Sequence, residues 1–271
     1  MVRWYSRCNW LRRRALRIKA LRQQKALCKE AQAVVVASPR KRFDIINLLL
    51  RHTRERRYLE IGLRNPAHNF DRIQADYKIS VDPGLEVENN QATFQLTSDD
   101  FFEGVRSGKL KLASDRFDVV MIDGLHLADQ VYRDYLNALE LLSDDGFLVF
   151  HDCSPPTVFH ARENFYEEGP AGRLWNGTTW KAFQRLRTET NRKAVVVNTD
   201  WGVGVVMNGI EAPSERLGQS VNPFYEYQTF ASNRQAILNL CTFEELANMV
   251  ESEQPSRLRP SRTLGYLQNL G

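Results

Sequence analysis

Four places in the 271-residue sequence put ionisable side chains at the end of a short apolar run. They are Glu60 with Gly62 after Tyr58-Leu59, Asp82 after Ile79-Ser80-Val81, Asp123 after Phe117 to Ile122, and His151-Asp152 after Phe147 to Phe150. Runs of this length and composition predict buried strands. In an open parallel sheet the carboxyl ends of the strands face one crevice, where ligands bind. Carboxylates and imidazoles gathered there can hydrogen-bond a ligand, carry a proton or hold a divalent cation. Gly62 would let a ligand approach the backbone, because no Cβ stands in the way. Asp82 follows Glu60-Ile61-Gly62 by about 20 residues, the separation at which an acid accepts hydrogen bonds from ribose hydroxyls. There is no G-x-G-x-x-G cradle for a pyrophosphate, so a ligand with adenosine but no phosphate fits better.

Histidine is the side chain that titrates near neutral pH, and His126 lies three residues beyond Asp123. It is the candidate proton acceptor; the alternative is that it only caps or orients the following helix. His52, His68 and His160 lie away from the strand ends and are expected on the surface or in loops.

The elements that would position these groups follow in order. A basic helix is expected over residues 1–32, then a break at Ser38-Pro39 and a helix from Phe43 to Leu50. Strands are expected at 58–62, Tyr77 to Val81, Ala92 to Leu96, Phe117 to Ile122 and Phe147 to Phe150. Between them lie a helix from Ser98 to Val105, with Ser98 or Asp99 as its cap, and one from Leu127 to Leu142. Ser143 to Gly146 is expected as a turn. Residues 153–179, rich in Pro, Gly, Thr and Asn, make a connection long enough to be a functional loop or lid. A helix then starts at Thr179. Ala194 to Val197 and Val203 to Met207 predict two strands joined by a tight turn around Asp200-Trp201-Gly202. Helices near Asn233 to Leu240 and Thr242 to Val250 precede an irregular tail.

Composition limits the alternatives. An apolar fraction of 42% and a charged fraction of 26% are ordinary for a soluble globular chain. The net charge of +4 hides an asymmetry: of 37 Lys and Arg, 13 lie in residues 1–42 beside one acid, Glu30. The remaining 24 stand against 32 acids, a balance of −8. A basic arm, residues 1–40, therefore precedes an acidic body, residues 41–271. Such an arm suits a membrane surface, nucleic acid or a second subunit, or simply packs on the body. The acidic body argues against nucleic acid as a partner. Four separated cysteines suggest neither a zinc site nor a disulfide framework, and they suit a reducing cytoplasm. No apolar run is long enough to span a bilayer.

Tyr58-Leu59-Glu60-Ile61-Gly62, Ser80-Val81-Asp82-Pro83, Thr97 to Phe102, Phe117 to His126 and Gly146 to Cys153 stand in an order that resembles class I S-adenosylmethionine-dependent methyltransferases. The D-G-x-H and H-D-C segments, with Trp175-Asn176-Gly177, Trp180-Lys181-Ala182-Phe183 and Asp200 to Gly204, resemble the bacterial branch linked to sugar, polysaccharide or secondary-metabolite O-methylation. The resemblance covers about residues 43–250 and departs at Pro66, where that family usually has a second glycine.

The resemblance implies a Rossmann-like, doubly wound, seven-stranded α/β sheet with an antiparallel edge hairpin. It implies S-adenosylmethionine bound by Glu60, Gly62, Asp82, Ser98, Asp99 and Asp123. It implies a small-molecule or glycan acceptor, with His126 and Asp123 as catalytic residues. Asp123, His151 and Asp152 are the candidate ligands of a divalent metal, magnesium or manganese; a hydrogen-bonded polar cluster is the alternative. Hydroxylase-like chemistry on the same fold and a binding role for the basic arm also stay open, as does a homo-oligomer.

Overall fold

The computed structural model describes residues 2–211 and 221–257, and the side chains of Trp10, residues 12–210 and residues 221–252. The irregular tail expected near the C-terminus lies mostly outside these. The arm is one long helix, α1 (Val2–Val36). Helix α2 (Arg42–Arg51) follows the break, and Lys41 N at its start donates to Asp44 Oδ2 at 2.9 Å. It buries Ile45, Ile46, Leu48, Leu49 and Leu50, a stripe wide enough to cover a sheet face.

Strand β1 (Arg57–Ile61) leads through two 3-10 turns at 66–68 and 70–72 to β2 (Tyr77–Val81). Pro66 opens the first of these turns, where it needs no N–H partner. Then come α3 (Ser98–Arg106), β3 (Phe117–Ile122), α4 (Ala128–Leu141) and β4 (Leu142–Phe150). After the 151–178 loop stand α5 (Thr179–Glu189), β5 (Arg192–Val197) and β6 (Val203–Glu211). Two short helices, α6 (Tyr227–Ser232) and α7 (Arg234–Leu238), precede β7 (Leu240–Cys241) and α8 (Phe243–Arg257).

The seven strands form one sheet in the order β2-β1-β3-β4-β6-β5-β7. The first four are parallel, β6 is antiparallel to both β4 and β5, and β7 is parallel to β5. The count of seven agrees with expectation, but the membership differs. Ala92 to Leu96 is not a strand; it reaches the sheet through one bridge, Phe94 to Val81. The seventh strand is the two-residue β7, so the β5–β6 hairpin lies one place in from the edge. The helix expected near Asn233 to Leu240 is the shorter α7, which Asn239 ends in the left-handed region at φ 50°; α6, before Asn233, is an additional helix the sequence did not suggest. The N-cap of α3 is Thr97, whose hydroxyl accepts from Asp100 N, one and two residues earlier than expected. The segment expected as a turn at 143–146 is the irregular first half of β4, where the pairing to β3 shifts register.

Alternating strand residues feed two cores. Leu59, Ile61, Val120, Ile122, Leu148 and Phe150 meet α3, α4 and α5 on one face. Tyr58, Val119, Met121, Phe147 and Val149 meet α2 and α8 on the other. Each fully buried large apolar side chain contributes about 1.5–3 kcal/mol. Because β1, β3 and β4 are sealed on both faces, polar side chains that continue them are confined to the strand ends. Strand order reverses between β1 and β3, and the crevice of an open α/β sheet lies at that point.

Candidate active site

At the reversal, Gly62 N donates to Val81 O at 2.8 Å and Asp123 N to Ile61 O at 2.8 Å. Gly62 has φ +92°, and a Cβ there would lie 2.2 Å from the Asp123 carbonyl oxygen. The glycine is therefore required by the approach of two strand ends, whether or not a ligand also passes it. Asp82 organises the turn after β1. Its Oδ2 accepts from Leu63 N at 2.9 Å and Arg64 N at 3.0 Å, and its Oδ1 accepts from Gly84 N at 2.6 Å.

Glu60 is buried, and Tyr58 Oη (2.6 Å) and Asn69 Nδ2 (2.9 Å) both donate to its Oε2. Burial pushes its carboxyl up to about 7, against these two donors. At the start of α3, Gln130 Nε2 donates to Ser98 Oγ at 3.1 Å and to Asp99 Oδ1 at 3.2 Å. Asp99 also pairs with Arg133.

The ends of β3 and β4 bring Asp123, His126, His151 and Asp152 together. His126 lies between two carboxylates, with Nε2 at 3.3 Å from Asp123 Oδ1 and Nδ1 at 3.0 Å from Asp152 Oδ2. Burial lowers the basicity of His126, but Asp152 and Asp123 outweigh it and raise its pKa above the ordinary histidine value. Burial pushes Asp123 up, yet His151, Arg42 and His126 together hold it well below the usual carboxylate range. Asp152 has φ 60°, an uncommon conformation for a residue with a Cβ and the kind of strain that persists where surrounding contacts impose it.

His151 faces both ways. Its Nδ1 is 3.2 Å from Asp123 Oδ1 and 3.3 Å from Asp152 Oδ2, and its Nε2 is 2.9 Å from Arg42 Nη1. Burial and Arg42 oppose charging of this ring, and Asp123 and Asp152 favour it more strongly. A second ring proton on Nε2 would require Arg42 Nη1 to turn toward Asp200 Oδ2, 3.2 Å away.

Asp123, His126 and Asp152 offer donor atoms that all lie within 4.8 Å of one another. Two carboxylates and an imidazole suit a divalent cation such as magnesium or manganese. Among the described residues this is the set that converges, and it contains His126 where the sequence suggested His151. The Cys153 sulfur takes no part, since its Sγ lies 3.7 Å from His151 O and 3.9 Å from Phe150 O, buried.

Several residues of the cluster were not singled out from sequence as site residues. Arg42, the first residue of α2, reaches in beside Asp123 and His151, and its backbone N donates to Asp200 Oδ2 at 3.0 Å. Asp200 arrives from the β5–β6 turn. Asn176 Nδ2 donates to Asp152 Oδ1 at 2.6 Å, while its buried Oδ1 has no partner. The Trp175 ring stacks on His126 at 5.3 Å and 20°, and its Nε1 is fixed by Arg162 O at 2.6 Å. His160 does sit in the loop, as expected, but it is wholly buried against Trp201. His52 and His68 lie away from the cluster, with His52 Nδ1 2.9 Å from Leu48 O.

Residues 25–153 match the model of a family described as a methyltransferase domain. The matched segment, just under half of the chain, is similar to a methyltransferase domain. The match starts within α1 and ends at Cys153, so it contains Glu60, Asp82, Asp123, His126 and Asp152 but neither the 153–179 loop nor Asp200. The chain matches none of the curated proteins. Among solved structures it is similar to an O-methyltransferase from Bacillus cereus in complex with SAH, at 14% identity and a TM-score of 0.40. That match covers 68% of this chain and 91% of that one. It is also similar to a putative caffeoyl-CoA O-methyltransferase from Staphylococcus aureus, at 16% identity and a TM-score of 0.43, covering 73% and 100%. A third is an O-methyltransferase of tomaymycin synthesis from Streptomyces achromogenes in complex with SAM, at 13% identity and a TM-score of 0.38, covering 70% and 90%. Among the described residues no helix is long and apolar enough to cross a membrane.

Proposed function

We propose that this methyltransferase transfers the methyl group of S-adenosylmethionine to a hydroxyl of a sugar or glycoside, at the cluster of Asp123, His126 and Asp152. The carrying observation is the His126 ring, held through both nitrogens between two carboxylates and covered by Trp175. Methyl transfer from a sulfonium to an oxygen is an in-line displacement. The enzyme must align donor and acceptor and take the hydroxyl proton. In this reading Glu60, Gly62, Asp82, Ser98, Asp99 and Asp123 line the cofactor crevice, with Asp82 toward the ribose. A divalent ion held by Asp123, His126 and Asp152 would act as a Lewis acid on the acceptor hydroxyl; His126 would then be a neutral ligand, and its role as proton acceptor applies to the site without the ion.

The chain's own residues do the rest. His126 accepts the hydroxyl proton only in its neutral form, so the ring proton favoured by Asp152 and Asp123 must first pass to one of these carboxylates or to solvent. Trp175 keeps the ring plane fixed while that occurs, and Asn176 keeps Asp152 from rotating away. His151 and Arg42 hold Asp123 ionised.

The test is transfer of labelled methyl from S-adenosylmethionine to a panel of glycosides, with the product located by mass spectrometry. One methyl on an acceptor oxygen is the expected product; transfer to a nitrogen, or to no hydroxyl compound at all, would refute the reading. For the metal, Asp123→Asn and Asp152→Asn should each remove most activity, and excess chelator should do the same to the unaltered chain until magnesium or manganese is restored. Full activity in chelator excludes the ion.

A further inference from the structure

The methyl-transfer reading leaves α1 unused. Between Arg12 and Lys29 the helix carries eight lysines and arginines, all exposed, and no acid. Among the described residues none of the eight forms an ion pair, although cations elsewhere on the surface do, as in Arg106 with Glu140 and Lys181 with Glu163. From Trp10 to Leu27 the helix also exposes large apolar side chains: Trp10 by 57%, Leu16 by 59%, Ile18 by 45%, Leu21 by 44% and Leu27 by 60%.

Among the residues whose side chains are described, contact with the body begins only in the second half of the helix. Cys28 is buried, its Sγ 3.6 Å from Thr157 Oγ1 in the 153–179 loop, and Ala31, Gln32 and Val35 are half-buried. Residues 12–23 are exposed around the whole helix. At 1.5 Å per residue, the stretch from Trp10 to Gln23 spans about 20 Å.

We propose that the first half of α1 is a docking helix for an anionic lipid surface. Unpaired cations gain from a negative leaflet potential, and the gain falls off within a Debye length, about 8 Å at physiological salt. Trp10, Ile18 and Leu21 lie within about 80° on a helical wheel of 100° per residue. Their aromatic and aliphatic bodies suit the boundary between headgroups and acyl chains; Arg17 and Arg22 flank this arc, and Arg14, 5.3 Å over the Trp10 ring, and Lys25 rise from within it on long stems that carry their charged ends to phosphate. A nucleic acid would satisfy the charges but would leave these apolar side chains in water. A second copy of α1 packed on the first would set eight cations against eight.

The test uses the full chain and vesicle flotation, with phosphatidylcholine alone and with phosphatidylcholine containing one-third phosphatidylglycerol. Binding to the anionic vesicles should be at least about tenfold tighter, and should weaken steeply as salt is raised. The variant carrying Arg12→Glu, Arg13→Glu, Arg14→Glu and Arg17→Glu should lose it while keeping cofactor affinity. Trp10→Ala should weaken it without changing the salt dependence. Equal binding to both vesicles, no binding, or unchanged binding by the charge-reversed chain would overturn the proposal. So would a chain that binds an RNA or DNA duplex and leaves vesicles alone, or one that only dimerises through the arm.

Discussion

Glu60, buried, and His126, half-buried, are both ionisable groups at strand ends, but their surroundings push them in opposite ways. His126 meets carboxylates through both nitrogens, and these favour its charged form. Glu60 meets only neutral donors and is held toward its neutral form, near 7. The linkage consequence for Glu60 has a definite sign. In the unfolded chain it ionises near 4.5, in the folded chain near 7, so between these pH values folding takes up a proton. Stability from this group is complete below 4.5 and is lost as pH rises to about 7, by about 3 kcal/mol at most.

Glu60→Gln keeps an oxygen for Tyr58 and Asn69 and removes the titration. Denaturant unfolding of the ligand-free chain at pH 5 and pH 8 should therefore show the variant gaining on the unaltered protein as pH rises. An identical pH dependence in both would contradict the assignment. His160 contributes the opposite slope. Its pKa is lowered to about 4, chiefly by burial, so it costs stability as pH falls from about 6.5 to about 4 in both proteins and cancels in the comparison.

At the scale of elements, the 153–179 loop and the β5–β6 turn complete what the four parallel strands begin. Gly177 shows how tightly the loop is held. It has φ +61°, and a Cβ would stand 2.1 Å from the His126 carbonyl oxygen, while Thr178 N donates to that same oxygen at 2.7 Å. Gly177→Ala must push the loop off His126 and take Trp175 and Asn176 with it. Methyl transfer should fall by about 10-fold or more while S-adenosylmethionine affinity, measured by calorimetry, changes little. An unimpaired rate would mean the loop does not position the cluster.

The strand ends were legible because buried strands write themselves as apolar runs and the residue that stops the run is the one at the crevice. Asp123 and His151-Asp152 were found that way. Arg42 was not, because it reaches the cluster from the opening of α2, where a cation looks like ordinary surface charge. Asp200 was visible only as a turn residue. Alternation misled at Ala92 to Leu96, where Thr93 bonds Ser80 by its side chain and Phe94 makes the single bridge. The two residues of β7 are too few to leave any pattern.

Across the whole molecule, helices on both faces leave the carboxyl ends of β1 to β4 as the open side, and in the proposed reading a cofactor there would join Gly62, Asp82 and Asp123 from three different strands. Ligand that binds only this assembled crevice must stabilise the fold as a unit. The demethylated product, S-adenosylhomocysteine, at 100 times its dissociation constant should add about 2.7 kcal/mol and raise the unfolding temperature in one cooperative step. Asp82→Ala should lose both the turn after β1 and most of that increment, since Asp82 anchors Leu63 and Arg64 as well as facing the crevice. An undiminished increment in that variant would remove Asp82 from the cofactor site. The basic α1 lies outside this linkage, so its charge-reversed form should show the full increment.

The measurement that bears most directly on the account is the rate of labelled methyl transfer to a glycoside hydroxyl by His126→Ala, set beside its affinity for S-adenosylmethionine. If His126 takes the acceptor's proton, or holds the ion that activates it, the rate falls by roughly 10²–10⁴-fold with the cofactor affinity nearly unchanged. A variant that transfers methyl at the rate of the unaltered chain would contradict the assignment of the chemistry to the Asp123, His126 and Asp152 cluster.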